Sequence, residues 1–201
     1  MIAILDYGVG NLKNVYTALK NIDLDGIITS DISKVNDSQG IILPGVGAFK
    51  DAMDHLVDSG LTQCIYANVK KGKPLLGICL GMQMLFDTSY EDGKWEGLHL
   101  MSGDVVRFSD KLKVPHMGWN DLHRNKDHAL INIINDGEFV YFVHSYYAEV
   151  NDPQDVLLYT EYGVRVPAVV GKDNVLGMQF HPEKSSSTGI KLLKNFKELI
   201  K

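Results

Sequence analysis

One residue of this chain stands where a nucleophile would: Cys79, in Gly77-Ile78-Cys79-Leu80-Gly81. An apolar run, Pro74-Leu75-Leu76-Gly77-Ile78, leads into it, and a helical pattern, Leu80-Gly81-Met82-Gln83-Met84-Leu85-Phe86, leads out. That order predicts strand, sharp turn and helix, with a sulfur at the turn. Glycines two before and two after the cysteine complete a G-x-Nuc-x-G elbow with Cys in place of Ser. The pattern has a steric reason: a strained turn needs neighbours without Cβ atoms, so that backbone segments approach closely and the central side chain stands clear. At a helix N-terminus, backbone N–H groups and the helix dipole also favour a thiolate. The Leu80 amide would point toward an oxyanion formed there. The ordinary alternative for a free cysteine is a small buried hydrophobe. Cys64, in Leu61-Thr62-Gln63-Cys64-Ile65-Tyr66, has no glycine frame and fits that alternative.

A thiol of ordinary pKa is only a few per cent ionised at neutral pH, so a catalytic cysteine needs a base. Of the seven histidines, His55, His99, His123 and His128 lie in polar contexts and read as solvated, whereas His116, His144 and His181 stand out. His181 follows the last apolar strand in Gln179-Phe180-His181-Pro182-Glu183-Lys184. In a parallel sheet that position shares a rim with Cys79. Pro182 restricts His181 to an extended conformation, and in an extended segment His181 and Glu183 point the same way. The carboxylate can then orient the imidazole and stabilise its protonated form. The same residues would also suit a plain helix entry. A third feature is Pro44-Gly45-Val46-Gly47 after a strand, whose glycines allow a backbone N–H to turn inward or flip. A simple strand-to-helix turn is the alternative there. Gln83, four residues after Cys79 on the predicted helix, can face the same cleft, with an ordinary exposed glutamine as the alternative.

The elements that must position these groups alternate through the first half. Ile2-Ala3-Ile4-Leu5 reads as a buried strand, followed by a helix with Leu12, Val15, Tyr16 and Leu19 on one face. Gly26-Ile27-Ile28-Thr29 and Ile41-Ile42-Leu43 are further strands, the latter stopped by Pro44. Helices are expected over 48–58 and 61–71. Short apolar strands alternating with helices predict an α/β fold with a mostly parallel sheet covered on both faces. Such folds bind ligands at the carboxyl ends of the strands. The second half is richer in strands: 104–108, 139–143, 156–160, 166–170 and 175–180, some of them forming an antiparallel extension. A last helix is expected over 186–199, with Ile190, Leu193, Phe196 and Ile200 apolar. Asp87 to Trp95 and Arg124 to His128 read as polar surface loops.

The chain has 201 residues, 45% of them apolar, and a formal net charge of −5. That is enough for one well-buried domain, 1–201. Basic residues are neither in excess nor in blocks, which argues against a nucleic-acid partner. No stretch approaches a membrane span, and no leader precedes the first strand. Two cysteines without a disulfide pattern point to a reducing cytoplasm. No C-x-x-C or H-E-x-x-H pattern supports a metal site.

Gly77-Ile78-Cys79-Leu80-Gly81-Met82-Gln83, with His181 and Glu183 later in the chain, resembles the signature of a triad (class I) glutamine amidotransferase. Finer segments narrow the likeness: Pro44-Gly45-Val46-Gly47-Ala48-Phe49, Pro115-His116-Met117-Gly118-Trp119-Asn120, Phe142-Val143-His144-Ser145-Tyr146 and Gln179-Phe180-His181-Pro182-Glu183-Lys184-Ser185. These resemble the glutaminase subunits of imidazole glycerol phosphate synthase, and the match runs from Asp6-Tyr7-Gly8-Val9-Gly10-Asn11 to the final helix. The resemblance implies a class I amidotransferase (flavodoxin-like) fold, no cofactor, and a Cys79–His181–Glu183 triad that hydrolyses glutamine. Ammonia would pass through a tunnel to a separate (β/α)8-barrel cyclase subunit that makes imidazole glycerol phosphate in histidine biosynthesis. A barrel of ~250 residues does not fit in this chain.

By the same resemblance Gly45, Val46, Gly47 and Leu80 form the oxyanion hole, and Gln83 and Glu91 hold the substrate. His144, Ser145 and Tyr146 would line the site. Asn11, Met117, Trp119 and Asn120 would meet the partner, and Lys184 is either a partner contact or a surface charge. A Met and a Trp in a short glycine-containing loop suit a partner surface better than a core. Rival readings are another triad amidotransferase or γ-glutamyl hydrolase, a cysteine-dependent chaperone or deglycase, and a non-catalytic subunit of the same fold.

Overall fold

The computed structural model describes residues 1–200. Strand and helix alternate through its first half: β1 (Ile2–Leu5), α1 (Leu12–Lys20), β2 (Gly26–Thr29), α2 (Ile32–Asp37), β3 (Gly40–Gly45), α3 (Phe49–Asp58), α4 (Leu61–Lys70), β4 (Leu75–Cys79) and α5 (Leu80–Gln83). Strands dominate thereafter: β5 (Thr88–Ser89), β6 (Trp95–Glu96), β7 (Gly103–Arg107), β8 (His116–Asp121), β9 (His123–Arg124), β10 (Phe139–His144), β11 (Tyr146–Val150), β12 (Val156–Glu161), β13 (Arg165–Lys172) and β14 (Val175–Met178). The helix α6 (Ser186–Leu199) closes the described chain.

The main sheet runs β2-β1-β3-β4-β14-β13-β12-β9. Its first five strands are parallel and the last three antiparallel, so the expected parallel core with an antiparallel extension is present. Two smaller sheets, β10-β8 and β11-β7-β5-β6, pack beside it. Side chains alternate across the parallel strands. Ile2, Ile4 and Ile42 face a core containing Val15, Leu19 and Phe196 from α1 and α6. Ala3, Leu5 and Leu43 face a second core containing Leu56 and Ile65 from α3 and α4. A strand buried on both faces can carry no polar position, which is why these segments are continuous apolar runs.

Parallel pairing brings the ends of β3, β4 and β14 to one rim. Gly45 is the neighbour of Cys79 in the β3–β4 register, and Met178 is the neighbour of Ile78 in the β14–β4 register. The approach is close enough to exclude side chains. A Cβ on Gly81 would lie 1.9 Å from the Leu43 carbonyl oxygen, and one on Gly77 would lie 2.6 Å from the Gly81 carbonyl oxygen. One on Gly45 would lie 2.7 Å from the Gly81 nitrogen.

Several expectations need correction. β3 does not stop before Pro44 but runs through it to Gly45, because pairing with β4 continues as far as Cys79. α5 ends at Gln83 and not at Phe86; the Met84 and Leu85 carbonyls then accept from Leu98 and from Leu100 and Met101, which draws the chain into the next sheet. The segment 87–95 is not wholly a surface loop, since it contains β5 and the buried Ser89. The His116–Asn120 segment is a strand, not a loop. The apolar run 175–180 is strand only to Met178. α2, β6, β9 and β11 lie outside the elements that the sequence pattern predicts. His123 and His128 are half-buried, and His128 accepts from the Leu130 N–H at 3.0 Å.

The elbow glycines differ sharply from a glycine held only by its φ. Gly81→Ala is expected to cost about 3 kcal/mol or more because backbone must move, whereas Gly72→Ala, at φ +85° with open space around it, should cost ~1 kcal/mol. Urea unfolding of both variants checks this, and equal midpoints would contradict it.

Candidate active site

Cys79 adopts φ 57° and ψ −114°, a conformation that a side-chain-bearing residue rarely holds. Such strain costs on the order of 1–3 kcal/mol and persists only where the surroundings enforce it. Here β4 on one side, α5 on the other and the absent Cβ atoms of Gly77 and Gly81 enforce it. The thiol does not stand in open solvent, as the bare elbow pattern would suggest. Cys79 is 8% exposed and forms part of the wall of a cleft of about 420 Å³. Cys64 packs against α2, as expected of an inert cysteine; its sulfur lies 3.4 Å from the Asn68 amide.

His181 reaches the same cleft from the segment after β14. His181 is itself extended, at φ −95° and ψ 101°, as expected, but Pro182–Lys184 is a 3-10 turn; it still carries Glu183 Oε1 to 2.9 Å from His181 Nδ1. Glu183 thus stands where an orienting carboxylate would stand, in residues that also open a helical turn. The Nδ1–H donates to Glu183, which leaves Nε2 for the Cys79 sulfur. The Glu183 side chain is 2% exposed, so the carboxylate acts on the ring with little screening. Burial pulls the His181 pKa down, but hydrogen bonds to Cys79 and Glu183, and the charges of both, outweigh it and raise the value to about 9.

The remaining wall gathers residues from distant parts of the chain. Asn11, Val46, Gly47, Leu80, Gln83, Glu91, His144, Ser145, Tyr146 and Lys184 all line the cleft. Gly45 lies just behind it, beside Glu183, in a second small cavity. The Tyr7 hydroxyl donates to the Pro44 carbonyl at 2.5 Å, which holds the peptide entering this loop, while Val46 and Gly47 are exposed and Gly47 sits at φ +94°. Glu91 accepts from the Phe49 N–H at 2.7 Å and so closes the start of α3 beside that loop. Burial raises the Glu91 pKa. Gln83 donates from Nε2 to the Tyr146 carbonyl at 2.9 Å and to Gln179 Oε1 at 3.0 Å.

Known proteins bear directly on this arrangement. The sequence profile described as "Glutamine amidotransferase class-I" matches residues 3–199. The chain belongs to the class-I glutamine amidotransferase family. This amidotransferase is 51% identical over 201 residues to the imidazole glycerol phosphate synthase subunit HisH of Caldanaerobacter subterraneus, covering 100% of this chain and 99% of the relative. It is 46% identical to the HisH subunit of Oceanobacillus iheyensis, with 100% of both chains covered. A crystal structure of a glutamine amidotransferase has a TM-score of 0.78 at 19% identity, covering 99% of this chain and 98% of that one. PurLQS from Thermotoga maritima has a TM-score of 0.75 at 22% identity, covering 100% and 98%. These two structures share the fold of this amidotransferase.

Met117, Trp119 and Asn120 do not line the amidotransferase cleft. They lie on β8, paired antiparallel with β10. Met117 is 61% exposed and Trp119 53%, so both point outward, as the partner-surface reading requires. Asn120 is half-buried and donates to the Glu161 carbonyl. The ribbon is fastened to the His181 segment: His181 N–H donates to the Tyr141 carbonyl at 3.3 Å, and Tyr141 N–H donates to Ser185 Oγ at 3.0 Å. Trp119 and Tyr141 are directly opposite across β8 and β10. Sequence reasoning passed over Gln179, Tyr141 and Ser185. For Gln179 a signal existed, a polar residue inside an otherwise apolar strand run.

Glu183→Gln removes a cause of the raised His181 pKa, so the ring should titrate at lower pH than about 9. The sign for stability follows. A group whose folded pKa exceeds its ordinary value of ~6.5 contributes stability fully present below that pH and lost as pH rises toward the folded value. The destabilisation by Glu183→Gln should therefore be largest below about pH 6.5 and fade toward about pH 9. NMR titration of the His181 ring and unfolding at several pH values check both statements; an unmoved ring pKa would contradict them.

Proposed function

We propose that Cys79, His181 and Glu183 are the catalytic triad of this amidotransferase, and that it hydrolyses glutamine to glutamate and ammonia for imidazole glycerol phosphate synthase in histidine biosynthesis. The observation that carries the reading is the convergence of a strained cysteine, a rim histidine and a buried orienting carboxylate in one cleft. Cys79 sulfur, its proton taken by His181, attacks the side-chain carbonyl carbon of glutamine. The tetrahedral intermediate collapses as the C–N bond breaks, and His181 returns the proton to the leaving ammonia. A water then attacks the γ-glutamyl thioester with His181 as base, releasing glutamate and restoring the sulfur. Glu183 keeps the ring in one tautomer and stabilises its protonated form.

Donors for the oxyanion come from the Leu80 N–H and from the Gly45-Val46-Gly47 loop. Gln83 and Glu91 hold the substrate, with His144, Ser145 and Tyr146 as a further part of the cleft wall. The whole chain, 1–201, works as one domain in the cytoplasm, paired with a separate barrel-shaped cyclase subunit that receives the ammonia. Met117 and Trp119 on β8, with Asn11, Asn120 and Lys184, form the docking face. Among the described residues no helix is long and apolar enough to cross a membrane.

The test is glutamine turnover. Cys79→Ala should abolish it with the fold intact, His181→Asn should be nearly as damaging, and Glu183→Gln should leave more residual rate. Full turnover by Cys79→Ala would overturn the assignment. A glutamine-analogue electrophile should label Cys79 and spare Cys64.

Hydrolysis without a partner would waste glutamine, and the exposed Val46-Gly47 stretch is where a rotating peptide could supply the missing donor. One oxyanion donor is worth about 10²–10³ in kcat, so the liganded cyclase should activate turnover by at least that order. Trp119→Ala should weaken association or uncouple this activation. Equal turnover with and without the cyclase would exclude gating.

A further inference from the structure

We propose that Gln179 is a positioning residue for the Cys79 sulfur, aimed at it by a chain of hydrogen bonds that begins on β8. The inference rests on Cys79 being the nucleophile, and it adds a residue and a route that the triad does not contain.

Gln179 has no exposed surface. Its Nε2 lies 4.0 Å from Cys79 Sγ, at the outer reach of an N–H···S contact, and its Oε1 accepts from Gln83 Nε2 at 3.0 Å. The direction of this amide follows from its partners. Gln83 also meets the Tyr146 carbonyl at 2.9 Å, and a carbonyl can only accept. The NH2 end of Gln83 must therefore face Tyr146 and Gln179. Gln179 must turn its oxygen to Gln83 and its NH2 end to the sulfur. A donor there favours thiolate over thiol; a flipped amide would present an oxygen and do the opposite.

The chain continues away from the sulfur. The Tyr146 carbonyl accepts a second bond, from His144 Nδ1 at 2.8 Å. His144 Nε2 is then an acceptor, and it receives His116 Nδ1–H at 3.0 Å. Burial holds both rings neutral, with pKa values lowered to about 4 for His116 and about 3 for His144, so this donor-acceptor order persists at physiological pH. His116 and His144 are directly opposite across β8 and β10, and His116 is stacked on Phe142 at 4.7 Å and on Tyr162 at 3.9 Å. The next residue along β8, Met117, is exposed. A shift of β8 along β10 would move His116 against His144 and loosen each later bond up to Gln179. Contact at the exposed face is thereby linked to the reactivity of the sulfur.

Alkylation of the full chain by iodoacetamide, followed site by site by mass spectrometry between pH 5 and 10, tests this without glutamine. Gln179→Met removes the donor at similar volume. Cys79 should then react about tenfold more slowly near pH 7, with its midpoint moved to higher pH, while Cys64 keeps its rate. The titratable groups that line the cleft with the sulfur are His181, His144, Glu91, Tyr146 and Lys184, with Glu183 behind His181, and all of them remain in these variants. His116→Phe, which keeps the ring stack, should slow Cys79 in the same direction but less. A wild-type profile in Gln179→Met would overturn the proposal, and one in His116→Phe would overturn its β8 end. If Gln179→Met does not fold, the side-chain amide resonances of Gln179 in the wild-type background decide: they should move on Cys79→Ala, and unmoved resonances would overturn the inference. Absence of glutamine turnover by the wild type with the liganded cyclase present would defeat the glutaminase reading alone.

Discussion

The close packing of backbone at the ends of β3, β4 and β14 is the constraint on which the rest depends. Leu43, Gly45, Gly77 and Gly81 meet at distances that leave no room for a Cβ. That packing forces Cys79 to φ 57° and ψ −114°, a combination that L-residues rarely adopt. The stored strain is small beside the burial of the two flanking cores, so the fold can carry it. In return the sulfur sits at the wall of the cleft, at the start of a helix, beside a loop rich in flexible peptide units.

Electrostatics complete what sterics begin. Glu183, buried behind His181, cannot spread its charge into solvent, and the ring beside it is held in its protonated form well above the ordinary histidine range. His116 and His144 show the opposite outcome of burial. They have no carboxylate partner among the contacts described above, and so are driven neutral. Neutral rings have one donor and one acceptor, which suits them to a hydrogen-bond chain, whereas the charged ring of His181 suits proton transfer.

The β8–β10 ribbon stands between the main sheet and the surface. It carries Met117 and Trp119 outward, holds the backbone of the His181 segment through Tyr141, and ends in His144 at the cleft wall. One two-stranded element therefore touches the exposed face, the His181 segment and the cleft wall. A ribbon with few neighbours on one side is freer to shift than the parallel strands buried on both faces.

Much of this was legible in the residues alone. The alternation of apolar strands and amphipathic helices follows from burial on two faces, and β1, β2 and α6 lie where their periodicity places them. The elbow was legible because glycine spacing around Cys79 is a local steric requirement. The His-x-Glu pair was legible because two residues separated by one cannot avoid each other, whether extended or in a 3-10 turn. Other features lay beyond sequence because they depend on pairing between distant segments. β3 runs through Pro44 only because β4 is there to receive it. The His116 segment becomes a strand only against β10, since a short stretch with Gly118 at φ +132° has little preference of its own. The tautomer of His116 is decided by His144, 28 residues away, and the orientation of Gln179 by Gln83, 96 residues away. Local sequence therefore determined which groups are candidates for the chemistry; tertiary structure decided which way each of them points, because hydrogen-bond direction is a property of partners and not of a residue.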